Sequence, residues 1–87
     1  MNLKDILKNI LEIFRNVGER EWTSVFDNFL KEIEVSDKKK LKRKILKIYG
    51  GMGSFNDLVL YREGRLCYKE NVELDKLRKK LYNEITN

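Results

Sequence analysis

Between Leu3 and Ile33 the apolar residues recur at spacings of three and four, and the pattern is broken once, at Gly18. Leu3, Ile6, Leu7, Ile10, Phe14 and Val17 fall on one side of a helix, with Lys4, Asp5, Lys8, Asn9 and Arg15 largely away from it. Trp22, Val25, Phe26, Phe29, Leu30 and Ile33 repeat the spacing, and Ser24, Asp27, Asn28 and Lys31 take the other side. A chain so patterned is committed to two amphipathic helices. Gly18 ends the first, and the short connection makes them an antiparallel pair.

The next segment keeps a helical period with a narrower apolar stripe, Leu41, Ile45, Ile48 and Tyr49, preceded by Ser36 as N-cap and by Asp37 at the positive end of the helix dipole. This predicts a third helix over 37–49, closed by Gly50. After the glycines the period shortens. Leu58-Val59-Leu60-Tyr61 and Leu66-Cys67-Tyr68 flank Arg62-Glu63-Gly64-Arg65, which reads as a β-hairpin that must lie against the helices or pair with another chain's edge. Asn71 then caps a last helix with the stripe Leu74, Leu77, Leu81 and Ile85. The expected fold is mainly α with a small β element (α+β): three N-terminal helices, a short hairpin and a C-terminal helix around one core. At 87 residues, with no proline and no break in composition, a single domain over 1–87 is expected.

Charge narrows the partners. Residues 36–49 hold seven basic side chains against Asp37, a surplus of +6, while the whole chain carries +5. One helix therefore supplies the basic character. Lys38, Lys39, Lys40, Lys42, Arg43, Lys44 and Lys47 make a candidate nucleic-acid footprint. No aromatic residue is interleaved among them to stack on bases, so a solvated face is the simpler reading. That helix has no bulky aromatic face for a membrane surface either, and no apolar run reaches signal or spanning length. With one unpaired cysteine, Cys67, the chain is expected in the cytoplasm without disulfides.

Catalytic chemistry has little to work with. Histidine is absent, which removes the usual general base and the commonest metal ligand, and with them any Cys-His or Ser-His-Asp arrangement. Cys67 alone cannot build a structural zinc site, and no aspartate-rich calcium loop occurs. No metal, no cofactor and no enzymatic activity are expected, and Cys67 is read as a packing residue in an apolar strand.

The densest local signal is Gly50-Gly51-Met52-Gly53-Ser54-Phe55-Asn56-Asp57. Its glycines permit a left-handed backbone and an anion-binding nest of amides, but the P-loop ending Gly-Lys-Ser/Thr is missing, as is the third glycine of a dinucleotide fingerprint. Structurally the same residues serve as cap and turn formers, with Phe55 and Met52 plugging the core below. Gly51, Gly53, Ser54, Phe55, Asn56 and Asp57 are the candidate partner-binding residues.

Tyr49-Gly50-Gly51-Met52-Gly53-Ser54-Phe55-Asn56-Asp57-Leu58-Val59-Leu60 resembles the signature of a family of small bacterial proteins with a Gly-Gly-Met-Gly-Ser-(Phe/Leu)-Asn-Asp core. The similarity extends to Gly18 before Trp22 and to Asn71 opening a helix with Leu74, Leu77 and Tyr82. Proteins of this kind are associated with toxin-immunity loci. The resemblance thus implies an immunity protein that binds and neutralises a cognate toxin domain, such as a nuclease, through the glycine loop and hairpin. A preformed inhibitory surface needs no catalytic groups. Inhibitors of nucleases often present acidic surfaces, so a basic chain would meet an acidic toxin face or use an uncharged patch.

Overall fold

The N-terminal helix α1 spans Leu3–Val17 and buries eight of its residues, because it is covered from two sides rather than one. The computed structural model describes residues 1–50 and 53–87. At its start the Asn2 side chain accepts the Asp5 amide at 2.9 Å, which satisfies one of the helix's orphan donors. At its end Gly18 takes φ 76°, with Gly18 N donating to Arg15 O at 3.3 Å and Glu19 N to Phe14 O at 2.9 Å. These paired bonds close the helix as a Schellman motif, which explains why the periodicity breaks at a glycine.

Helix α2, Glu21–Ile33, runs back along α1 and places Phe26 and Phe29 in the core. Helix α3 is shorter than the spacing predicts, Lys38–Lys47. Its cap is Asp37 rather than Ser36, since the Asp37 carboxylate accepts the Lys39 amide at 3.2 Å. Gly50 does not close it. The C-terminal turn ends through Ile48 N to Ile45 O at 3.1 Å and Tyr49 N to Leu46 O at 3.2 Å, and among the described residues of this region Gly53 is left-handed, at φ 72°.

A single 3-10 turn, Phe55–Asp57, leads into an extended stretch and then a two-stranded antiparallel ribbon, β1 Tyr61–Arg62 and β2 Arg65–Leu66. Tyr61 pairs with Leu66 and Arg62 with Arg65. The strands are shorter than expected because Leu58 and Val59 have no strand opposite them. Helix α4, Tyr68–Thr86, starts three residues before Asn71, so Asn71 is not its cap; the capping position is Cys67, which makes no side-chain cap bond.

The four helices meet around Leu7, Ile10, Phe14, Phe26, Leu41, Ile45, Leu74 and Leu81, all in one cluster with Phe55 and Leu60. Helix α1 lies between α2 and α4, and α3 closes the other side against both. The mainly helical architecture with one hairpin before the last helix is the one the spacings predict. Among the described residues no helix is long and apolar enough to cross a membrane.

Candidate functional site

The described residues of the glycine motif are tied to the end of α3, and most of their chemistry is turned inward. Phe55 is completely buried. Its ring sits among Phe26 at 5.1 Å, Tyr49 at 5.4 Å, Trp22 at 5.6 Å and Phe14 at 6.4 Å between centroids. These are edge-to-face and tilted contacts of the kind that lock an aromatic core. As a partner contact Phe55 is therefore corrected: its side chain belongs to the interior. Ser54 is buried as well, its hydroxyl without a hydrogen-bond partner among the described residues. Gly51, another candidate contact, and Met52, expected to plug the core, lie outside the described residues.

The remaining polar groups of the loop hold one another. Gly53 N donates to the Asp57 carboxylate at 3.0 Å, so at Gly53 the amide a phosphate would need is taken. The Asn56 amide donates to Tyr49 O at 3.1 Å, and Phe55 N donates to Ile48 O at 2.9 Å. Asn56 and Asp57 remain exposed, with their inner faces committed to the turn.

What fixes this loop from outside is Arg78, in the middle of α4. Its side chain is only 11% exposed. One guanidinium nitrogen donates to Phe55 O at 2.7 Å, Leu58 O at 2.9 Å and Asn56 O at 3.4 Å, while the other bonds the Asp75 carboxylate. The guanidinium carbon also lies 5.6 Å from the Phe55 ring centre. A forked, permanently charged donor suits several carbonyls gathered at one turn. Tyr49 completes the arrangement by donating its hydroxyl to Arg78 O at 2.8 Å, and burial holds that phenol well above its ordinary range, with the Arg78 charge opposing only part of the shift. Asn71 performs the same task one step along the chain. Its side chain accepts Leu60 N at 2.8 Å and donates to Leu60 O at 3.0 Å and Cys67 O at 2.8 Å.

Beyond that anchor the hairpin stands exposed. Leu60 before the strands is buried, whereas Tyr61, Arg62, Arg65 and Leu66 are all exposed, with Arg62 reaching the Asn16 carbonyl at the end of α1. Tyr61 is 59% exposed and its cross-strand partner Leu66 54%. Val59 before them and Tyr68 after them, the latter 76% exposed, are exposed as well. Cys67, expected inside an apolar strand, is half-buried at the junction with α4.

The basic helix exposes Lys38, Lys39, Lys40, Arg43, Lys44 and Lys47, with Lys42 half-buried. Among the described residues only Lys44 meets a carboxylate, Glu32 at 3.0 Å; Lys42 Nζ reaches Asn87 O at 3.5 Å. Beside this helix a groove of about 520 Å³ runs between Tyr49 and Asn56 on one side and Arg78, Lys79, Tyr82 and Asn83 of α4 on the other. No group of three or more acidic or cysteine side chains that could hold a metal ion occurs among the described residues.

Spacing alone reveals the motif and the basic helix but not Arg78, Asn71 or Tyr82, because all three sit on a helix whose apolar stripe is satisfied without them. Val59, Tyr61, Leu66 and Tyr68 are visible in the sequence as apolar residues, and only the structure shows that they are exposed.

A model of the family described as a domain of unknown function, DUF6966, matches residues 15–68. The matched segment contains the glycine motif and the hairpin and stops at the first residue of α4, short of Arg78. No curated protein matches the chain, and no solved structure matches it.

Proposed function

The chain belongs to the DUF6966 family, a domain of unknown function, and from that premise we propose that it is a non-enzymatic protein-binding module. Specifically, it is an immunity protein that binds and neutralises a cognate bacterial toxin domain in the cytoplasm of the producing cell.

The observation that carries this reading is the set of exposed apolar side chains in and beside the hairpin. Exposed turns and their flanks are ordinarily polar. Here Tyr61 and its cross-strand partner Leu66, with Val59 before them and Tyr68 at the start of α4, stand exposed. Tyrosines dominate binding hot spots because they bring large area at low entropic cost and keep a polar tip for hydrogen bonding. The two-residue strands also leave the ribbon's outer edges free for strand addition. Rigidity comes from the Arg78 and Asn71 bonds, which fix the hairpin's root before any partner arrives. The toxin as partner rests on the resemblance carried by the glycine motif, whose own role on this reading is to brace the hairpin.

The test is affinity capture from the native host with the tagged full chain, nuclease-treated and washed at high salt, followed by expression of the captured protein alone. The expected result is a protein that arrests growth by itself and is neutralised by co-expression of the wild-type chain. Tyr61→Arg combined with Tyr68→Arg should abolish both capture and protection, a loss of about 2 kcal/mol or more per tyrosine. A captured protein that does no harm to cells sinks the immunity reading. Capture that survives the tyrosine changes sinks the hairpin assignment.

A further inference from the structure

The α3–α4 seam combines three features that the linear sequence keeps apart. The first is unneutralised charge: Lys38, Lys39, Lys40, Arg43 and Lys47 are exposed and meet no carboxylate among the described residues. The second is a defined edge. At 100° per residue Lys39, Lys42, Leu46 and Tyr49 follow one side of α3 and its C-terminal turn, and that side meets α4 at both ends. Lys42 Nζ reaches Asn87 O at 3.5 Å, and the Tyr49 ring lies 5.4 Å from the Tyr82 ring at 63°. The third is a stacking platform. Tyr82 is 46% exposed at the wall of the 520 Å³ groove, its ring held edge-on by buried Tyr49.

We propose that this seam binds single-stranded nucleic acid, with phosphates on Lys39, Lys42 and Arg43 of α3 and Lys79 of α4 and a base stacked on Tyr82. The absence of aromatics among the lysines of α3 argues against base stacking only while the chain is read linearly. The fold brings the ring in from α4. Sequence-tolerant single-strand sites combine a positive track with such a platform, since every base offers a π-face. The amide of exposed Asn83 and the Lys79 ammonium flank the ring, and the one acidic group in the groove, Asp75, is paired with Arg78. A stacked duplex would hide its base faces from Tyr82, and an acidic protein would engage the lysines without needing that ring or the groove beside it. This surface is separate from the hairpin: at 1.5 Å per residue Tyr82 lies about 21 Å along α4 from Tyr68. Loss of one activity therefore leaves the other measurable.

Fluorescence anisotropy of the full chain with short labelled RNA and DNA single strands, across a salt series, tests it. Four phosphate contacts predict a log–log salt slope of about −3. Tyr82→Ala should weaken binding roughly five- to a hundredfold at unchanged slope, and Tyr82→Phe should restore it, because stacking does not use the hydroxyl. Lys39→Glu with Arg43→Glu, both at exposed positions, should weaken binding and flatten the slope. Circular dichroism of each variant separates these effects from unfolding. Absence of binding, or binding that Tyr82→Ala leaves unchanged in a folded variant, overturns the proposal. So does competition by duplex or by an acidic polypeptide as effective as that by single strands.

Discussion

Tyr49 keeps its hydroxyl inside the protein, donating to the Arg78 carbonyl at 2.8 Å, and burial raises the phenol's pKa from its ordinary 10.0. The sign of the consequence follows from proton counting. Below pH 10 both folded and unfolded chains hold the proton, so the group confers no pH dependence. Above it the unfolded chain ionises while the folded chain does not, and stability falls as pH rises. Tyr49→Phe removes this term. At neutral pH the variant should be less stable than wild type by about 1 kcal/mol for the lost hydrogen bond. Urea denaturation at pH 7, 10 and 11 should show that gap shrinking as pH climbs. A gap constant across the series would mean that the folded phenol ionises as readily as a solvated one. Exposed tyrosines at 61, 68 and 82 are present in both proteins and cancel in the comparison.

Among the elements, the helices were the most legible because three-and-four spacing is a direct image of burial, as Leu74, Leu81 and Ile85 show. Their ends were less so. Ser36 and Asn71 are good capping residues by type, yet Asp37 and Cys67 occupy the positions, since a cap depends on where the chain turns rather than on which candidate is nearest. The hairpin is legible from its turn and over-read in its strands: Leu60 O accepts the Cys67 amide across the hairpin, but Leu60 N donates to the Asn71 side chain rather than to a strand. The turn itself contains a strained choice. Glu63 and Gly64 have φ of 53° and 77°, the paired left-handed conformation of a type I′ turn. Glycine takes it freely, whereas glutamate is disfavoured there and asparagine tolerated. Glu63→Asn should therefore stabilise the protein by about 0.5–1 kcal/mol, seen as a higher urea midpoint at unchanged slope. No gain would show that the Glu63 backbone carries no strain.

Over the whole molecule, the two candidate surfaces lie toward opposite ends of α4, and that helix also braces the loop between them. The sequence shows the parts of each surface as separate segments: a glycine motif, a basic helix, a few apolar residues near a turn. It could not show that Arg78, beyond the segment shared with the family, supplies the bonds to Phe55, Asn56 and Leu58. Side chains that reach backbone across more than twenty residues leave no periodic trace. That reach makes the motif depend on α4. Without Asn71 and Arg78, α1 and α2 can still pack, while the carbonyls of Asn56 and Leu58 lose the donor that reaches them from α4. Chains cut off before Asn71 should be cleaved by protease within residues 53–66, and chains that carry α4 should resist. Equal resistance in both would mean that the motif holds its shape alone. On this arrangement a fragment without α4 is a chain without a face to offer.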